Sequence, residues 1–166
     1  MVIRSLLSFP NPVNEVAARC TAGGVVLLAC LTLILRRPWL LIVLVLGFLA
    51  RVLSGPKLSP LGLFVTRVLV PRLPLEPKLV AGPPKRFAQG IGAAVTGSAA
   101  VLHYGFGRTQ AAYGLVVVIA AFATLESVFG LCVGCKIFGV LMQLGLLPPE
   151  VCEECNDIWA RYGRRL

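Results

Sequence analysis

Residues 16–53 read VAARCTAGGVVLLACLTLILRRPWLLIVLVLGFLARVL, which is two apolar runs separated by Arg36-Arg37-Pro38. The first run, residues 16–35, has the length of a membrane-spanning helix, which needs about 20 apolar residues. The break supplies two charges and a proline suited to the first turn of a helix, and Trp39 is a typical interfacial residue. This stretch predicts a helical hairpin in a membrane, with a shorter second span over residues 39–53.

The whole chain has the composition of a membrane protein. Of its 166 residues, 57% are hydrophobic and 14% are charged, and the mean hydropathy is +0.86. Soluble domains are about a quarter charged. The net charge of +9 falls between apolar runs, where membrane topology explains it, so nucleic acid is excluded as a partner. The first apolar run is too long for the core of a cleaved signal and is expected to be retained.

Two further runs complete an all-α, polytopic bundle of four transmembrane helices in the lipid bilayer. The predicted spans are residues 16–35, 39–53, 87–104 and 109–131. The third span is rich in small residues, which favours close packing of helices within the bundle rather than self-dimerisation.

Two shorter segments are predicted as interfacial helices. Residues 60–70 carry apolar side chains at helical spacing, and packing of this helix on its own bundle is the alternative. Residues 137–147 are apolar but too few to cross a bilayer. Residues 1–147 therefore form the predicted membrane domain, and residues 148–166 form a tail that contains cysteines.

Lysine and arginine are distributed unevenly across the predicted bundle. Arg36, Arg37 and Arg108 lie on one side, and the other 13 of the 16 basic residues lie on the side that holds both termini. Cytoplasmic segments of membrane proteins carry the excess of Lys and Arg. The sequence therefore predicts a multi-pass protein with both termini in the cytoplasm.

Four of the six cysteines occur in two pairs. Cys132 and Cys135 end the predicted fourth span, and Cys152 and Cys155 lie in the tail. The C-x2-C-x16-C-x2-C spacing suits a metal site with four thiolate ligands, and zinc or iron is the ion expected there. A cytoplasmic position disfavours permanent disulfides. Three interpretations stay open: a structural four-cysteine metal site, a thiol relay between the pairs, and unligated thiols.

The two pairs differ in their neighbours. Lys136 favours the thiolate form of Cys135, whereas glutamates in the tail disfavour it for the other pair. In a relay, Cys132 and Cys135 are therefore the expected reactive thiols, with Cys152 and Cys155 as resolving thiols. Their predicted position at the negative, C-terminal end of a helix works against thiolate formation.

Glu126 is the acid within a predicted span, and such residues are usually paired. Three basic residues at matching depth are the expected partners in a structural ion pair: Arg19, Arg51 and Arg86. A role as proton acceptor is the alternative. In a regular helix Cys132 lies about 9 Å along the axis and about 120° around it from Glu126. Glu126 is then a poor base for that thiol unless Gly130 breaks the helix.

Several of these residues belong to motifs that resemble a known family. The motifs are Asn11-Pro12-Val13-Asn14, Arg19, Arg51, Ser59-Pro60, Pro83-Pro84-Lys85-Arg86-Phe87-Ala88-Gln89 and Leu125-Glu126-Ser127-Val128-Phe129-Gly130-Leu131-Cys132-Val133-Gly134-Cys135. Over about residues 11–138 the sequence resembles the bacterial membrane family called domain of unknown function 4395. The resemblance implies a four-helix protein of the bacterial plasma membrane with a signature Glu126 and cysteine pair. It also implies thioredoxin-like or rhodanese-like partners and thiol or sulfur chemistry.

Two hypotheses about function follow. In the first, the protein handles reducing equivalents or sulfane sulfur through Cys132 and Cys135 at the cytoplasmic membrane surface. In the second, it is a non-catalytic accessory subunit of a larger membrane complex, such as a respiratory complex, and its four cysteines hold a structural metal. A transporter is disfavoured, because one intramembrane acid and no clearly broken pair of helices are visible. The sequence leaves open whether the protein is an enzyme.

Overall fold

The computed structural model describes residues 9–148 and 151–152, and this part of the chain is all-α apart from one short ribbon. The helices are α1 (Glu15–Leu35), α2 (Pro38–Ser54), α3 (Pro60–Phe64), α4 (Gly82–Ala100), α5 (Thr109–Phe129) and α6 (Val133–Gln143). A 3-10 turn, Gly55–Lys57, follows α2. A π-helical turn (Val65–Leu69) and a 3-10 turn (Val70–Arg72) extend α3, and a π-helical turn (Val101–Gly105) extends α4. The ribbon pairs β1 (Val13–Asn14) with β2 (Leu79–Val80) in antiparallel register.

The ends of the long helices follow from local sequence. The Asn14 side chain accepts a hydrogen bond from the Val16 amide at 2.9 Å, which satisfies a free donor in the first turn of α1. Pro38 starts α2, where its missing N–H costs nothing. Gly130 ends α5 with a φ of +68°, a left-handed conformation that glycine adopts without strain.

Side-chain contacts show that α1, α2, α4 and α5 form an antiparallel bundle. Arg19 of α1 donates to the Val128 carbonyl of α5 at 2.7 Å, and Arg86 of α4 donates to the Val52 carbonyl of α2 at 3.1 Å. The start of α1, the end of α2, the start of α4 and the end of α5 therefore meet. We call this end of the bundle, together with the start of α6, the cysteine end.

The core lies along the middle of the four long helices. Its buried residues are Val25, Ala29, Leu41, Leu44, Phe48, Ala99, Ala112, Val116, Ile119 and Ala123. Many of them are small, so the helices approach closely, as is usual for helices that associate in lipid. Large apolar side chains also cover the outside, among them Leu27 at 69% and Ile34 at 75% exposed. Apolar outer surfaces of this extent are compatible with a lipid bilayer.

Three stretches of the described chain are long and apolar enough to cross a membrane: Glu15–Leu35, Pro38–Arg72 and Thr109–Phe129. The sequence analysis expected a fourth crossing over residues 87–104. A helix is present there, but α4 is rich in glycine and alanine and does not belong to this apolar set. The helix also begins at Gly82, five residues before the expected start, so Lys85 and Arg86 lie within its first turns.

Both segments expected at the interface contain helical structure. The segment after Pro60 packs on the bundle, since Leu61 lies against Gly24 of α1 and Val65 is buried. The apolar helix expected over residues 137–147 lies instead at Val133–Gln143. It starts early because Gly130 interrupts the chain before the cysteine pair, so that Cys132 becomes a helix cap.

Close approach of α2 and α4 depends on Gly92. A Cβ atom at this position would collide with the ring of Phe48, which is itself buried at 7% exposure. In contrast, a Cβ at Gly90 on the same helix would meet no other atom of the described residues within 4 Å.

We therefore expect Gly92→Ala to destabilise the bundle and Gly90→Ala to leave its stability unchanged or raise it. Overpacking a buried contact costs about 1–3 kcal/mol, whereas alanine in an open helical position favours the helix. Thermal unfolding of the two variants in the same detergent, followed by circular dichroism, measures the difference. Equal melting temperatures for both variants would contradict the described α2–α4 contact.

Candidate functional site

The cysteine pair sits at the start of a helix, not at the end of one. Gly130 terminates α5, and Cys132 then forms the N-cap of α6, where its Sγ accepts a hydrogen bond from the Cys135 amide at 3.3 Å. The expectation that Cys132 ends the fourth span is therefore wrong. The inference that a negative helix end opposes thiolate formation at this pair is wrong for the same reason. The start of a helix carries positive polarity, which stabilises a thiolate.

Cys132 and Cys135 form a disulfide, with their Cα atoms 5.2 Å apart. Gly134, between them, allows α6 to press against α4, because a Cβ at this position would lie 2.6 Å from the Cα of Ala88. An edge-to-face contact between Phe87 and Phe138, with ring centroids 5.5 Å apart, holds the same two helices together. The disulfide is thus fixed against the start of α4.

Glu126 forms an ion pair with Lys85. The Lys85 Nζ lies 2.6 Å from the Glu126 Oε1, and the two side chains are only 10% and 15% exposed. The expected pairing with Arg19, Arg51 or Arg86 is therefore corrected: the partner is a lysine one residue before Arg86. Since α4 begins at Gly82, a step of one residue turns the side chain by about 100° around the helix. Lys85 consequently faces α5, whereas Arg86 reaches α2.

The three arginines have separate positions. Arg19 donates to the carbonyl oxygens of Ser127 and Val128, which caps the end of α5 just before Gly130. Arg86 donates to the Val52 carbonyl. Arg51 is buried at 5% exposure, with its guanidinium 4.4 Å from the centre of the Phe48 ring.

A partly open cavity of about 70 Å³ is lined by residues of α1, α2, α4, α5 and the start of α6, and we call it the inner cavity. Four polar or reactive residues line it: Arg51, Gln89, Glu126 and Cys132. The rest of its wall is mostly apolar, with Phe48 and Phe122 among its residues. Arg51 and Gln89 also border a second cavity of about 160 Å³, and among the described residues the buried Arg51 Nε and Gln89 Oε1 have no hydrogen-bond partner.

A larger groove of about 520 Å³ lies on the other side of the disulfide, and we call it the outer groove. Both cysteines line it, together with Lys85, Lys136 and Glu15. Cys132 borders both the inner cavity and the outer groove. Cys135 borders the outer groove but not the inner cavity. Cys132 therefore lies between a small cavity and a larger groove that carries two lysines.

Of the remaining described cysteines, none is among the residues that line the inner cavity or the outer groove. Cys152 is buried, and Cys155 lies outside the described residues. Cys20 and Cys30 are free thiols on α1. No group of three or more His, Cys, Asp or Glu side chains in residues 9–148 and 151–152 is arranged to hold a metal ion. A zinc or iron site on Cys132, Cys135, Cys152 and Cys155 stays a prediction, which requires the disulfide to be reduced, because metals bind thiolates.

Sequence reasoning missed two residues that shape the site. Lys85 was not recognised as the partner of Glu126 because it is next to Arg86 in the sequence. The directions of the two side chains depend on where α4 starts. Gln89, which the sequence places at the same depth as Glu126, does line the inner cavity with it. Gly134 stands between two cysteines, where a glycine can signal the close approach of another backbone.

Comparison with known proteins gives one positive finding. The chain belongs to the family described as a domain of unknown function (DUF4395), which matches residues 13–143. The matched range includes β1, all six helices, Lys85, Glu126 and the cysteine pair. Neither a curated protein nor a solved structure matches the chain.

The buried ion pair generates a stability prediction. We expect Lys85→Met to destabilise the protein by about 3–5 kcal/mol, because the Glu126 carboxylate would be left buried without its cation. Adding Glu126→Leu in the same chain should recover most of that loss, since the apolar pair has no unpaired charge.

Lys78→Met is the matched control. Lys78 pairs with Glu15 at 2.8 Å but is 69% exposed, and exposed pairs contribute only about 0–1 kcal/mol. Chemical or thermal unfolding in detergent compares the variants. Similar losses for Lys78→Met and Lys85→Met would show that Lys85 is not buried against Glu126.

Proposed function

We propose that this chain is an integral membrane thiol–disulfide protein whose redox centre is the Cys132–Cys135 pair. The observation that carries the proposal is the position of this pair. A disulfide at a helix start borders a large groove, and its Cys132 also lines a small cavity with Arg51, Gln89 and Glu126. A structural cross-link between residues only three apart constrains a short loop and adds little to stability. A redox role accounts better for the cavities around it.

The proposed membrane placement has four crossings, through α1, α2, α4 and α5. Support for the fourth crossing comes from packing: α4 runs antiparallel to α2 and α5, and Ala99 near its far end belongs to the core. Because its side chains are small, α4 is less apolar than the helices around it, which carry larger side chains. The positive-inside rule then places the cysteine end and both termini in the cytoplasm of a bacterial plasma membrane.

The proposed location makes the disulfide a transient species. Cytoplasmic thiols are kept reduced, so a disulfide at that surface is catalytic or sensing in most cases. The protein would cycle between a dithiol and a disulfide, exchanging two electrons with a second dithiol–disulfide pair. Thioredoxin-like proteins carry such a pair, and the outer groove offers access to both sulfur atoms.

The local charges suit this exchange. The start of α6 and the ammonium group of Lys136 both stabilise a thiolate that is released when the disulfide is attacked. Glu126 is held by Lys85, so we assign it a structural role at the wall of the inner cavity. Cys152 and Cys155 remain the proposed resolving pair or co-ligands.

Redox titration of the purified full-length protein tests the proposal. We expect Cys132 and Cys135 to convert together between dithiol and disulfide across thiol buffers of graded potential, as counted by alkylation and mass spectrometry. Cys132→Ser or Cys135→Ser should abolish this transition, whereas Cys20→Ser, which changes a free cysteine, should leave it intact.

The same samples distinguish the alternative of an accessory subunit with a structural metal. A pair that stays in one state at every potential, or one zinc or iron ion bound per chain and resistant to mild oxidants, would overturn the redox proposal. Metal content is measured on the protein as purified, before any chelator is added.

Membrane orientation has its own test. We expect Arg37→Cys, between α1 and α2, to react with a membrane-impermeant maleimide in intact bacterial cells. Leu75→Cys, an exposed position in the loop before β2, should react only after the membrane is permeabilised. Peptide mass spectrometry identifies the labelled residue. Labelling of Leu75→Cys in intact cells would reverse the proposed orientation.

A further inference from the structure

The second cavity lies at the cysteine end of the bundle, and its wall shares Arg51 and Gln89 with the inner cavity. It is partly open and has a volume of about 160 Å³. It is enclosed by the residues before α1, the start of α1, the end of α2, the segment around α3 and the start of α4. Because α1 begins and α2 ends here, the proposed membrane placement puts the cavity near the depth at which lipid headgroups meet the hydrocarbon core.

Most of the wall of the second cavity is apolar. Its apolar part consists of proline, alanine and glycine residues together with Phe9 and Val13, and no described residue in the wall is an acid. The wall also contains Thr21 and Thr66, whose hydroxyl groups donate to carbonyl oxygens of the preceding helical turn. An apolar cavity of about 150 Å³ can hold a benzene molecule. The second cavity therefore has room for an acidic group and several carbon atoms, and a longer chain would leave through the opening.

Two cations line the second cavity, and they differ in whether they are paired. The Lys85 Nζ is neutralised by the Glu126 carboxylate at 2.6 Å. Arg51 is buried, and within the described chain it forms neither an ion pair nor a hydrogen bond. A buried charge without a counter-charge is costly, so the site favours an anion that pairs with the Arg51 guanidinium.

The Arg51 guanidinium has donors that can reach a ligand. Among its nitrogens, Nε is the fully enclosed atom without a partner in the described chain. The two Nη atoms have no hydrogen-bond partner there either, so they remain in contact with open space. Arg51 lines both the inner cavity and the second cavity, and the inner cavity already has the Glu126 carboxylate in its wall. An anion is therefore expected in the second cavity, whose described wall has cations and no acid.

We propose that the second cavity binds the acidic head of an anionic amphiphile, held by the Nη atoms of Arg51, with its carbon chain against the apolar wall. A guanidinium donates two parallel hydrogen bonds to a carboxylate or a phosphate. A fatty acid and an anionic phospholipid share this chemistry, and basic pockets between membrane helices bind anionic headgroups. The proposal does not depend on the redox function, because neither Cys132 nor Cys135 lines this cavity.

Binding of small amphiphiles to the full-length protein, freed of lipid in a neutral detergent, tests the proposal. The anionic probes are octanoate and a short-chain phosphatidylglycerol, and their counterparts without net charge are octanamide and a short-chain phosphatidylcholine. We expect one anionic probe molecule to bind per chain, about 10-fold or more tightly than its counterpart, because hydrogen bonds between charged groups are the stronger class. Isothermal titration calorimetry measures the affinities and the stoichiometry.

Variants of the wall separate charge from shape. Arg51→Gln should weaken binding of the anionic probe about 10-fold or more and leave binding of its counterpart unchanged. Arg86→Gln is the matched control, because Arg86 carries a positive charge at the same end of the bundle but is not among the residues that line the second cavity. It should keep the wild-type affinity. Ala18→Phe keeps both cations and places a ring in the cavity, so it should prevent binding.

The probes also identify the source of the ligand. Binding of octanoate alone assigns the cavity to a fatty acid, and binding of the phosphatidylglycerol alone assigns it to a membrane phospholipid. Either result supports the proposal. If neither anionic probe binds the wild-type protein more tightly than its counterpart, or if inorganic phosphate binds as tightly as both, the proposal is overturned. These wild-type measurements decide the question even if Arg51→Gln does not fold, and their failure leaves the redox titration of the cysteine pair unaffected.

Discussion

The arrangement of the cysteine end depends on one buried ion pair, Lys85 with Glu126. An unpaired charge among apolar helices is costly, so α4 and α5 are held in the register that brings the ammonium and carboxylate together. This register sets where α5 reaches its last turn and therefore where the chain can turn back towards α4. The position of α6, and with it the disulfide, follows from a contact that neither cysteine makes.

Two glycines then determine where the cysteine pair lies relative to α4 and α5. Gly130 ends α5 in a left-handed conformation, and Arg19 caps the carbonyl groups exposed by that ending. Gly134 allows the first turn of α6 to lie directly on Ala88. Because of this sharp reversal, the cysteines occupy the positive start of a new helix, although in sequence they simply follow a long apolar run.

The sequence predicted the all-α class and the positions of the long helices because apolar runs and the Arg36-Arg37-Pro38 break are strong local signals. It did not predict the partner of Glu126, since Lys85 and Arg86 differ only in their direction around a helix whose start was placed too late. Nor could it place Cys132 correctly, because a regular helix and a helix broken at Gly130 fit the same apolar pattern. Those choices depend on tertiary packing, which no local pattern contains.

The inner cavity raises the question of why apolar side chains do not fill it. A bundle selected for stability alone would fill this space with apolar side chains, which usually stabilise a protein at least as well as a buried charge. Instead, its lining includes Arg51 and Gln89, each of which has a buried polar atom without a partner in the part of the chain that the structure describes. Such a cost is characteristic of functional sites. Since Cys132 lines both this cavity and the outer groove, these polar groups support the proposed chemistry at its sulfur atom.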